Sequence, residues 1–384
     1  MKLKCIKADL NNAVQIVQKA ISNKSTLPIL TGIYLSAKEG KLTIEATDYE
    51  IGISCTIDAN IEIAGDVVLS GRYFQELVKK LPGDTVEISQ SREDRTIKIS
   101  SMKSEFNLLT MPAEEFPVLN KSIGQNSIKI KDNVLRELIK KTVFACATED
   151  SNPVYTGALL ENTLEYIRMA ATNTHRLAVK KIPQFTQITN DDVDNYIAGK
   201  ENDKLCRLII PSKVLNELAR LMVYDLPIEV EICWEKNKVS FIFENVYFES
   251  RLIEGKYPEY NRVIPEKFNT VATIDASIFY DAVERVSLMA KEGNYNVIKF
   301  AFGKENINIT SSNPGVGKAY ESIPVDLDGD EIEISFNAKY IIDILKNITS
   351  QNIVFSLNTS LSASCIRPED DEEYIYIITP VRTM

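Results

Sequence analysis

A pattern that occurs three times limits the folds this chain can adopt. An alternating strand runs into a turn of small polar residues at KLTIEATDYEIGI (41–53), EYIRMAATNTHRLAV (165–179) and ENINITSSNPGVGKAY (305–320). About 38 residues before each turn, an aspartate opens an amphipathic helical pattern, at Asp9, Asp132 and Asp275. An acidic side chain at such a position can cap free backbone N–H groups. The recurring order and spacing predict three structural units of one kind.

Each unit is predicted to contain two helices and several strands. The helical patterns cover residues 7–24, 71–80, 131–141, 211–222, 275–291 and 338–347, and stretches such as TVEIS, IEVEICW and EIEISF alternate with period two. Strands that are apolar on one face need a covering layer on that face only. We therefore predict an α+β fold of three similar domains, each with two helices packed on antiparallel sheets. Polar or proline-containing stretches set the domains at 1–122, 128–254 and 255–384.

Composition narrows the functional class. Hydrophobic residues make up 44% of the 384 positions and charged residues 26%, which is typical of a globular protein. No stretch approaches the roughly 20 apolar residues of a membrane span, and the N-terminus has no apolar signal core, so we expect a cytoplasmic protein without a membrane partner. Six cysteines lie far apart with no C-x-x-C pair. They are interpreted as reduced thiols packed as small hydrophobic groups, with no metal or other cofactor expected.

Charge is distributed unevenly along the chain. The whole sequence carries 44 basic and 54 acidic residues, a net charge of −10, and this average argues against a nucleic-acid-binding protein. The six helical segments nevertheless hold 16 basic and nine acidic residues, a net of +7, which leaves −17 for the rest. The basic charge of any one of these helices, taken alone, is explained by an ordinary solvent-exposed helix face. Together they predict a mildly cationic surface that contacts phosphates weakly and without sequence preference.

Six motifs carry a resemblance to a known family. TLPILTGIYL (26–35), LTIEATDYEIGI (42–53), MPAEEFPVL (111–119), AATNTHRLAV (170–179), YPEYNRVIP (257–265) and IITPVR (377–382) resemble, in order along essentially the full chain, those of the bacterial DNA polymerase III β subunit, the sliding clamp family. The resemblance implies three clamp domains per chain and two chains closing head-to-tail into a six-domain ring, with helices lining a central hole. It also implies a non-catalytic processivity factor that encircles duplex DNA.

The resemblance further implies partners and a pocket that binds them. The expected partners are a second copy of the chain, sequence-independent double-stranded DNA, the DNA polymerase III α subunit, the clamp-loader complex, and other DNA polymerases or repair proteins with a QLxLF-type motif. That motif would enter a pocket between the second and third domains. Carried over by motif, the pocket residues are Tyr155, Thr172, Thr174, His175, Arg176, Leu177, Pro258, Arg262, Val263, Tyr295, Leu361, Ile377, Ile378, Thr379, Pro380, Val381 and Arg382.

His175, the single histidine, is expected to form hydrogen bonds that position neighbouring loops. A structural histidine outside any pocket is the alternative. A hydrolase built around it is disfavoured, because the chain has no GxSxG elbow, no phosphate loop and no metal-ligand spacing. Two departures from the family pattern bear on the pocket. Thr174 stands where many clamps have glycine, and Thr379 stands where methionine is more common.

DNA contacts and the dimer contact are assigned by position. The DNA-facing candidates are Lys24, Arg72, Lys79, Arg136, Lys140, Lys213 and Arg220, each of which taken singly is also explained as a solvated charge. By the resemblance, Phe106 in the strand EFNLLTM would meet Leu288 and Met289 of a second chain, and the alternative is that all three are core residues. A clamp-fold peptide-binding adaptor without a DNA role remains the competing function.

Overall fold

The computed structural model describes residues 1–22, 27–90, 95–121, 126–149, 151–163, 165–183, 204–290 and 296–382. Within these ranges lie six α-helices, namely α1 Lys7–Val17, α2 Gly71–Lys80, α3 Asp132–Thr142, α4 Ser212–Leu221, α5 Ala276–Ala290 and α6 Ala338–Leu345. All six predicted helices are confirmed. The first is shorter than predicted, because α1 ends at Val17 and a 3₁₀ turn over Gln18–Ala20 follows it.

The strands follow the same threefold order. The first repeat contains β1 Lys2–Ile6, β2 Gly32–Lys38, β3 Lys41–Thr47, β4 Ile51–Ile63, β5 Gly65–Ser70, β6 Thr85–Gln90, β7 Thr96–Ser101 and β8 Ser104–Met111. The second contains β9 Asn126–Lys131, β10 Gly157–Thr163, β11 Tyr166–Thr172, β12 Arg176–Pro183, β13 Lys204–Pro211, β14 Glu229–Trp234, β15 Lys238–Phe243 and β16 Val246–Arg251. The third contains β17 Thr270–Asp275, β18 Val297–Phe302, β19 Asn306–Asn313, β20 Gly317–Pro324, β21 Asp326–Gly329, β22 Ile332–Asn337, β23 Asn352–Leu357, β24 Ser364–Pro368 and β25 Tyr374–Ile378.

Antiparallel pairing assembles these strands into three sheets. The twelve-stranded sheet has the order β1-β6-β7-β8-β5-β2-β3-β4-β16-β15-β14-β9, and the long strand β4 also pairs with β1 through its second half. The nine-stranded sheet has the order β13-β10-β11-β12-β25-β24-β23-β17-β21, and β20-β19-β18-β22 form the third. The pairs β4–β16 and β12–β25 join strands of different repeats. Hydrogen-bonded sheets therefore continue from one repeat into the next.

The chain packs as two compact units, residues 1–133 with 217–252 and residues 134–216 with 253–384. The strands of the central repeat are divided between them, with β9 and β14–β16 in the first unit and β10–β13 in the second. This division follows from the two shared sheets, since each half of the central repeat extends the sheet of a neighbouring repeat.

Burial patterns explain why the helices form where they do. In α1 the buried residues Leu10, Ala13, Val14 and Val17 fall at helical spacing, so one face of the helix packs on the sheet of the first repeat. In the third repeat, α5 covers a cluster of buried rings formed by Phe279, Phe300, Phe302, Phe336 and Phe355.

The predicted aspartate caps are only partly confirmed. Asp275 Oδ1 accepts the N–H of Ile278 at 2.9 Å and so caps α5. Asp9 is not a cap, because α1 begins at Lys7 and Asp9 lies inside its first turn. The buried Asp132 opens α3, and its Oδ1 accepts the N–H of Ile228 at 2.9 Å, which ties the helix start to the chain before β14.

All six cysteines are free thiols with buried side chains, as predicted. Burial raises the pKa of Cys5, Cys146 and Cys206 to about 12. These thiols are therefore protonated at neutral pH and behave as packing groups. In the part of the chain that the structure describes, no helix combines the length and apolar character needed to cross a membrane.

Candidate functional site

A cavity of about 210 Å³ lies in the second unit, where β12 pairs with β25. It is lined by Tyr155, Thr172, Thr174, His175, Arg176, Leu177, Pro258, Glu259, Tyr260, Val263, Ala363, Ile377 and Thr379. These residues come from the turn between β11 and β12, the 3₁₀ turns Pro153–Thr156 and Tyr260–Val263, and the strand β25 with its neighbours. Segments far apart in sequence thus form one concave surface.

The turn between β11 and β12 is held by side-chain hydrogen bonds. Thr172 Oγ1 donates to the carbonyl of Arg176 at 2.6 Å, and Asn173 Oδ1 accepts the N–H groups of His175 and Arg176, each at 3.1 Å. Thr174 adopts a φ of 73°, in the left-handed region that favours glycine. The rim of the cavity is therefore a short, fixed turn with a β-branched residue in a strained backbone conformation.

The same turn recurs in the first repeat. There Thr47 Oγ1 donates to the carbonyl of Ile51 at 2.8 Å, Asp48 Oδ1 accepts two backbone N–H groups, and Tyr49 has a φ of 72°. The third repeat differs, because Asn313 Oδ1 accepts only the N–H of Gly315 among the described backbone groups. The hydrogen-bonding pattern of this turn is therefore the same in the first two repeats and only partly reproduced in the third.

The main chain of His175, and not its ring, positions the neighbouring segment. Thr379 donates both its N–H and its Oγ1–H to the carbonyl of His175, each at 3.0 Å. The imidazole is exposed and has no hydrogen-bond partner among the residues that the structure describes. Among the described residues, the hydrogen bonds that position a neighbouring segment therefore fall on the His175 carbonyl and not on its imidazole.

Arg176 is turned into the interior of the protein behind the cavity. It is 7% exposed, its Nη1 donates to Asp343 Oδ2 at 2.6 Å, and its Nη2 donates to the carbonyl of Phe144. Its guanidinium also lies over the ring of Tyr340, 4.4 Å from the centroid. Burial alone would lower the pKa of Arg176, but Tyr376 and Asp343 outweigh it and raise the pKa. The guanidinium therefore stays charged and braces the wall through its two terminal nitrogens, while its buried Nε has no hydrogen-bond partner among the described residues.

A buried polar cluster supports the floor of the cavity. Tyr260 donates its hydroxyl to Glu161 Oε2 at 2.6 Å, and Arg168 donates to the same oxygen at 2.7 Å. Burial and the nearby Glu161 carboxylate raise the pKa of Tyr260 well above its usual range, so its hydroxyl remains a donor. Tyr257 donates to the carbonyl of Ala170 at 3.2 Å. These bonds fix the 3₁₀ turn that carries one side of the cavity.

The structure brings ten of the predicted pocket residues to this cavity, namely Tyr155, Thr172, Thr174, His175, Arg176, Leu177, Pro258, Val263, Ile377 and Thr379. Ile378 is fully buried opposite Arg176 in the β12–β25 pair and is not among the residues that line the cavity. The remaining described candidates lie outside the lining; they are Arg262, Leu361, Pro380, Val381 and Arg382. Tyr295 lies outside the described residues.

Three lining residues are not predicted from the sequence. Glu259 and Tyr260 lie within the quoted motif YPEYNRVIP, so the motif itself was the available signal. Ala363 precedes β24 in a segment without a distinctive pattern, and no sequence feature pointed to it.

The described DNA-facing candidates lie on three helices. Arg72 and Lys79 are exposed on α2, Lys140 is exposed on α3, and Lys213 and Arg220 are exposed on α4. Arg136 on α3 is only partly exposed. Lys24 lies outside the described residues.

The dimer candidates lie at the protein surface. Phe106 is 42% exposed on β8, Leu288 is 54% exposed on α5, and Met289 is partly exposed. The alternative that all three are core residues is therefore wrong.

Comparisons with known proteins identify the family. Family models match in three segments: the N-terminal domain of the DNA polymerase III β subunit over residues 1–120, its central domain over 129–259 and its C-terminal domain over 261–382. The chain is 37% identical over 377 residues to a Staphylococcus aureus protein named beta sliding clamp, covering 95% of both chains. It is 35% identical over 381 residues to the Staphylococcus epidermidis protein of that name, covering 97% of both.

Solved structures agree with the sequence comparisons. A DNA polymerase sliding clamp from Bacillus subtilis superposes with a TM-score of 0.91 at 35% identity, over 100% of both chains. A sliding clamp from Pseudomonas aeruginosa bound to griselimycin gives a TM-score of 0.90 at 27% identity, again over 100% of both. The three-domain clamp fold predicted from the sequence is thereby confirmed. With three consecutive family matches spanning nearly every residue, this chain belongs to the family of bacterial DNA polymerase III β subunits, the sliding clamps.

Proposed function

We propose that this protein is a DNA sliding clamp, a cytoplasmic and non-catalytic processivity factor that holds replicative polymerase and other DNA enzymes on duplex DNA. Two copies would close head-to-tail into a ring around the duplex. The cavity at the β12–β25 pair supports the tethering role, because a clamp that holds different enzymes in turn needs one preformed site to which each of them can bind.

The lining of the cavity suits a short apolar peptide. Leu177, Val263 and Ile377 supply aliphatic walls, while Tyr155 and Pro258 add flat apolar surfaces. A volume of about 210 Å³ is below that of a typical small-molecule pocket, so the cavity fits one or two side chains of a longer segment. Partners with a QLxLF-type motif, among them the DNA polymerase III α subunit, the clamp loader and repair polymerases, present leucine and aromatic side chains of this kind.

Weak charge suits the proposed contact with DNA. The helices carry a modest excess of basic residues in an acidic protein, and exposed lysines and arginines on α2, α3 and α4 provide it. Phosphate contacts of this kind supply affinity without reading sequence. A closed ring needs no tighter hold, since its topology retains it on the duplex.

Two strand edges support the proposed ring closure. Beyond Leu109, β8 pairs with β5, but Ser104–Leu109 pair on one side only within the described chain. Among the described strands, β20 pairs only with β19 and ends its sheet. Exposed strand edges bind other strands readily. We therefore propose that β8 of one copy meets β20 of the other, with Phe106 near Leu288 and Met289.

The pocket is tested by titrating a fluorescently labelled QLxLF-type peptide into the full chain and following its anisotropy. We expect saturable binding that is lost when the leucine and phenylalanine of the peptide are replaced by alanine. A chain truncated after Ile378 removes Thr379 and its two hydrogen bonds to His175, and we expect it to bind at least ten-fold more weakly. Absence of binding by the full chain would contradict the pocket assignment.

Retention on DNA separates the clamp from an adaptor of the same fold. With its clamp loader, the protein should remain on closed circular duplex through gel filtration and be released when the circle is cut. Peptide binding and dimerisation without such retention would show an adaptor that lacks the DNA role.

A further inference from the structure

A groove of about 420 Å³ in the first unit lies between α1 and the end of α4. It is lined by Asn12, Gln15, Ile16, Gln18, Lys19, Arg220, Leu221, Val223 and Tyr224. Its polar members are three carboxamides, two cations and the phenol Tyr224, so hydrogen-bond donors are concentrated at one place. Of these residues, only Arg220 was assigned to DNA contact above.

A single carboxylate connects the two cations of the groove. Glu217 on α4 is mostly buried, and its Oε1 accepts from Arg220 Nη1 at 2.6 Å. Its Oε2 lies 3.8 Å from Lys19 Nζ and accepts no hydrogen bond from the residues that the structure describes. Two positive charges thus share one negative charge, and a net of +1 remains in the groove.

With respect to the residues that the structure describes, both cations keep donors free for a further partner. The Arg220 side chain is 67% exposed and uses one guanidinium nitrogen for Glu217, and Lys19 is exposed and close to Glu217 without a hydrogen bond to it. Exposed lysine, arginine and carboxamide side chains are the groups that bind phosphate oxygens of a DNA backbone.

We propose that this groove binds a backbone phosphate of duplex DNA through Lys19 and Arg220, and that Glu217 positions these two cations and limits their affinity. The proposal rests on the clamp function proposed above and adds to it a specific contact and a counter-charge. Glu217 holds both side chains over the groove while it cancels half of their charge. A sliding protein benefits from this arrangement, because each phosphate contact must break as the duplex moves.

The substitution Glu217→Gln tests the role of the counter-charge, because its removal should increase the affinity for DNA. Glutamine keeps the size of the side chain and removes its charge. Binding of the full-length protein to a labelled duplex of about 30 base pairs, followed by anisotropy at several salt concentrations, should become about three-fold tighter at low salt. A gain in affinity does not arise from a damaged fold, so the result is not confused with misfolding.

The double variant Lys19→Gln/Arg220→Gln tests the contact itself. We expect about five-fold weaker binding to the same duplex at low salt. The slope of log affinity against log salt concentration should become shallower by the amount that about one phosphate contact contributes. Glu229→Gln is the matched control for Glu217→Gln, because Glu229 pairs with Lys129 at 2.9 Å on the sheet strands β14 and β9. The control should bind DNA as the unchanged protein does.

Each outcome decides between the claims. Unchanged affinity in the double variant, with normal DNA binding by the parent protein, would overturn the groove and leave the clamp function standing. Unchanged or weaker binding by Glu217→Gln would overturn the role of Glu217 as a limiting charge. A parent protein that binds no duplex at any salt concentration would overturn both the groove and the proposed DNA role.

Discussion

Thr174 shows how a single backbone conformation shapes the candidate pocket. Its φ of 73° lies in a region where a β-branched side chain is strained, and it sits on the rim between Thr172 and His175. The sequence has a threonine where many clamps have glycine, but a pattern of residues does not report the sign of φ. The structure supplies the reason that glycine suits the position.

Replacing Thr174 with glycine should therefore stabilise the protein. Relief of backbone strain, on the order of 1–3 kcal/mol, exceeds the added freedom of the unfolded chain, about 0.4–1 kcal/mol. The expected net gain is about 1 kcal/mol in the free energy of unfolding, measured by urea denaturation. His175→Gly is the matched control, since His175 has no positive φ, and it should lose stability. Equal losses in both variants would contradict the strain argument.

Arg176 was predicted as a pocket residue, and its motif gave no indication that the guanidinium is buried. Removing it in Arg176→Met leaves Asp343 without its 2.6 Å partner and removes the contact with Tyr340. We expect a loss of about 2–4 kcal/mol in the free energy of unfolding. Arg251→Met, which removes an exposed arginine 4.0 Å from Glu50, should change stability by less than about 1 kcal/mol. Similar losses in the two variants would argue against the bracing role.

At the scale of elements, an ion-pair cluster ties the turn between β24 and β25 to α3 and β12. Lys180 Nζ lies 2.9 and 2.7 Å from the two carboxylate oxygens of Asp371, and Lys141 Nζ lies 3.4 Å from one of them. Burial alone would raise the pKa of Asp371, but the two lysines outweigh burial and hold the pKa below its usual value of 3.8. The cluster joins segments about 190 residues apart, and periodicity along the sequence carries no information on such pairings.

This arrangement makes stability depend on pH in a defined direction. A carboxyl group whose pKa is lowered by folding stabilises the protein above its unfolded pKa, near 4, and loses that contribution as pH falls through the folded value. Asp371→Asn should therefore be less stable than the parent protein at pH 7, and the difference should shrink below pH 4. Urea denaturation at pH 7, 4.5 and 3.5 measures it. Glu62→Gln, which removes an exposed partner of Lys2, is the control and should show little difference at any pH.

In the whole molecule, the three repeats and their six helices are predictable from the sequence because each produces a periodic pattern within a short segment. The sharing of sheets between repeats is not, because the pairs β4–β16 and β12–β25 join strands far apart in the sequence, and a local pattern does not show which strand edges will pair. The two compact units follow from those pairs, so they cut across the repeats that the sequence displays.

The proposed closure of two copies into a ring can be tested at one exposed residue. Leu288 is exposed on α5, and a lysine there would place a charge in the proposed apolar contact with Phe106 of a second copy. We expect Leu288→Lys to sediment as a monomer at concentrations where the parent protein is a dimer, with an unchanged circular dichroism spectrum. A matched change at an exposed apolar residue that lies on none of β8, β20 and α5, Leu226→Lys, should leave the dimer intact. A Leu288→Lys variant that remains dimeric on dilution would refute the contact.

The pairing of β12 with β25 has a consequence for the order of folding. Its register brings Arg176 opposite Ile378, so the cavity wall joins segments separated by about 200 residues. Contacts of such long range form slowly, because the intervening chain must first be closed into a loop. A nascent chain still on the ribosome, or a chain cut before Tyr374, has no such wall. The proposed pocket would therefore be present only in a finished subunit, and a partner that binds it would select chains that have completed folding.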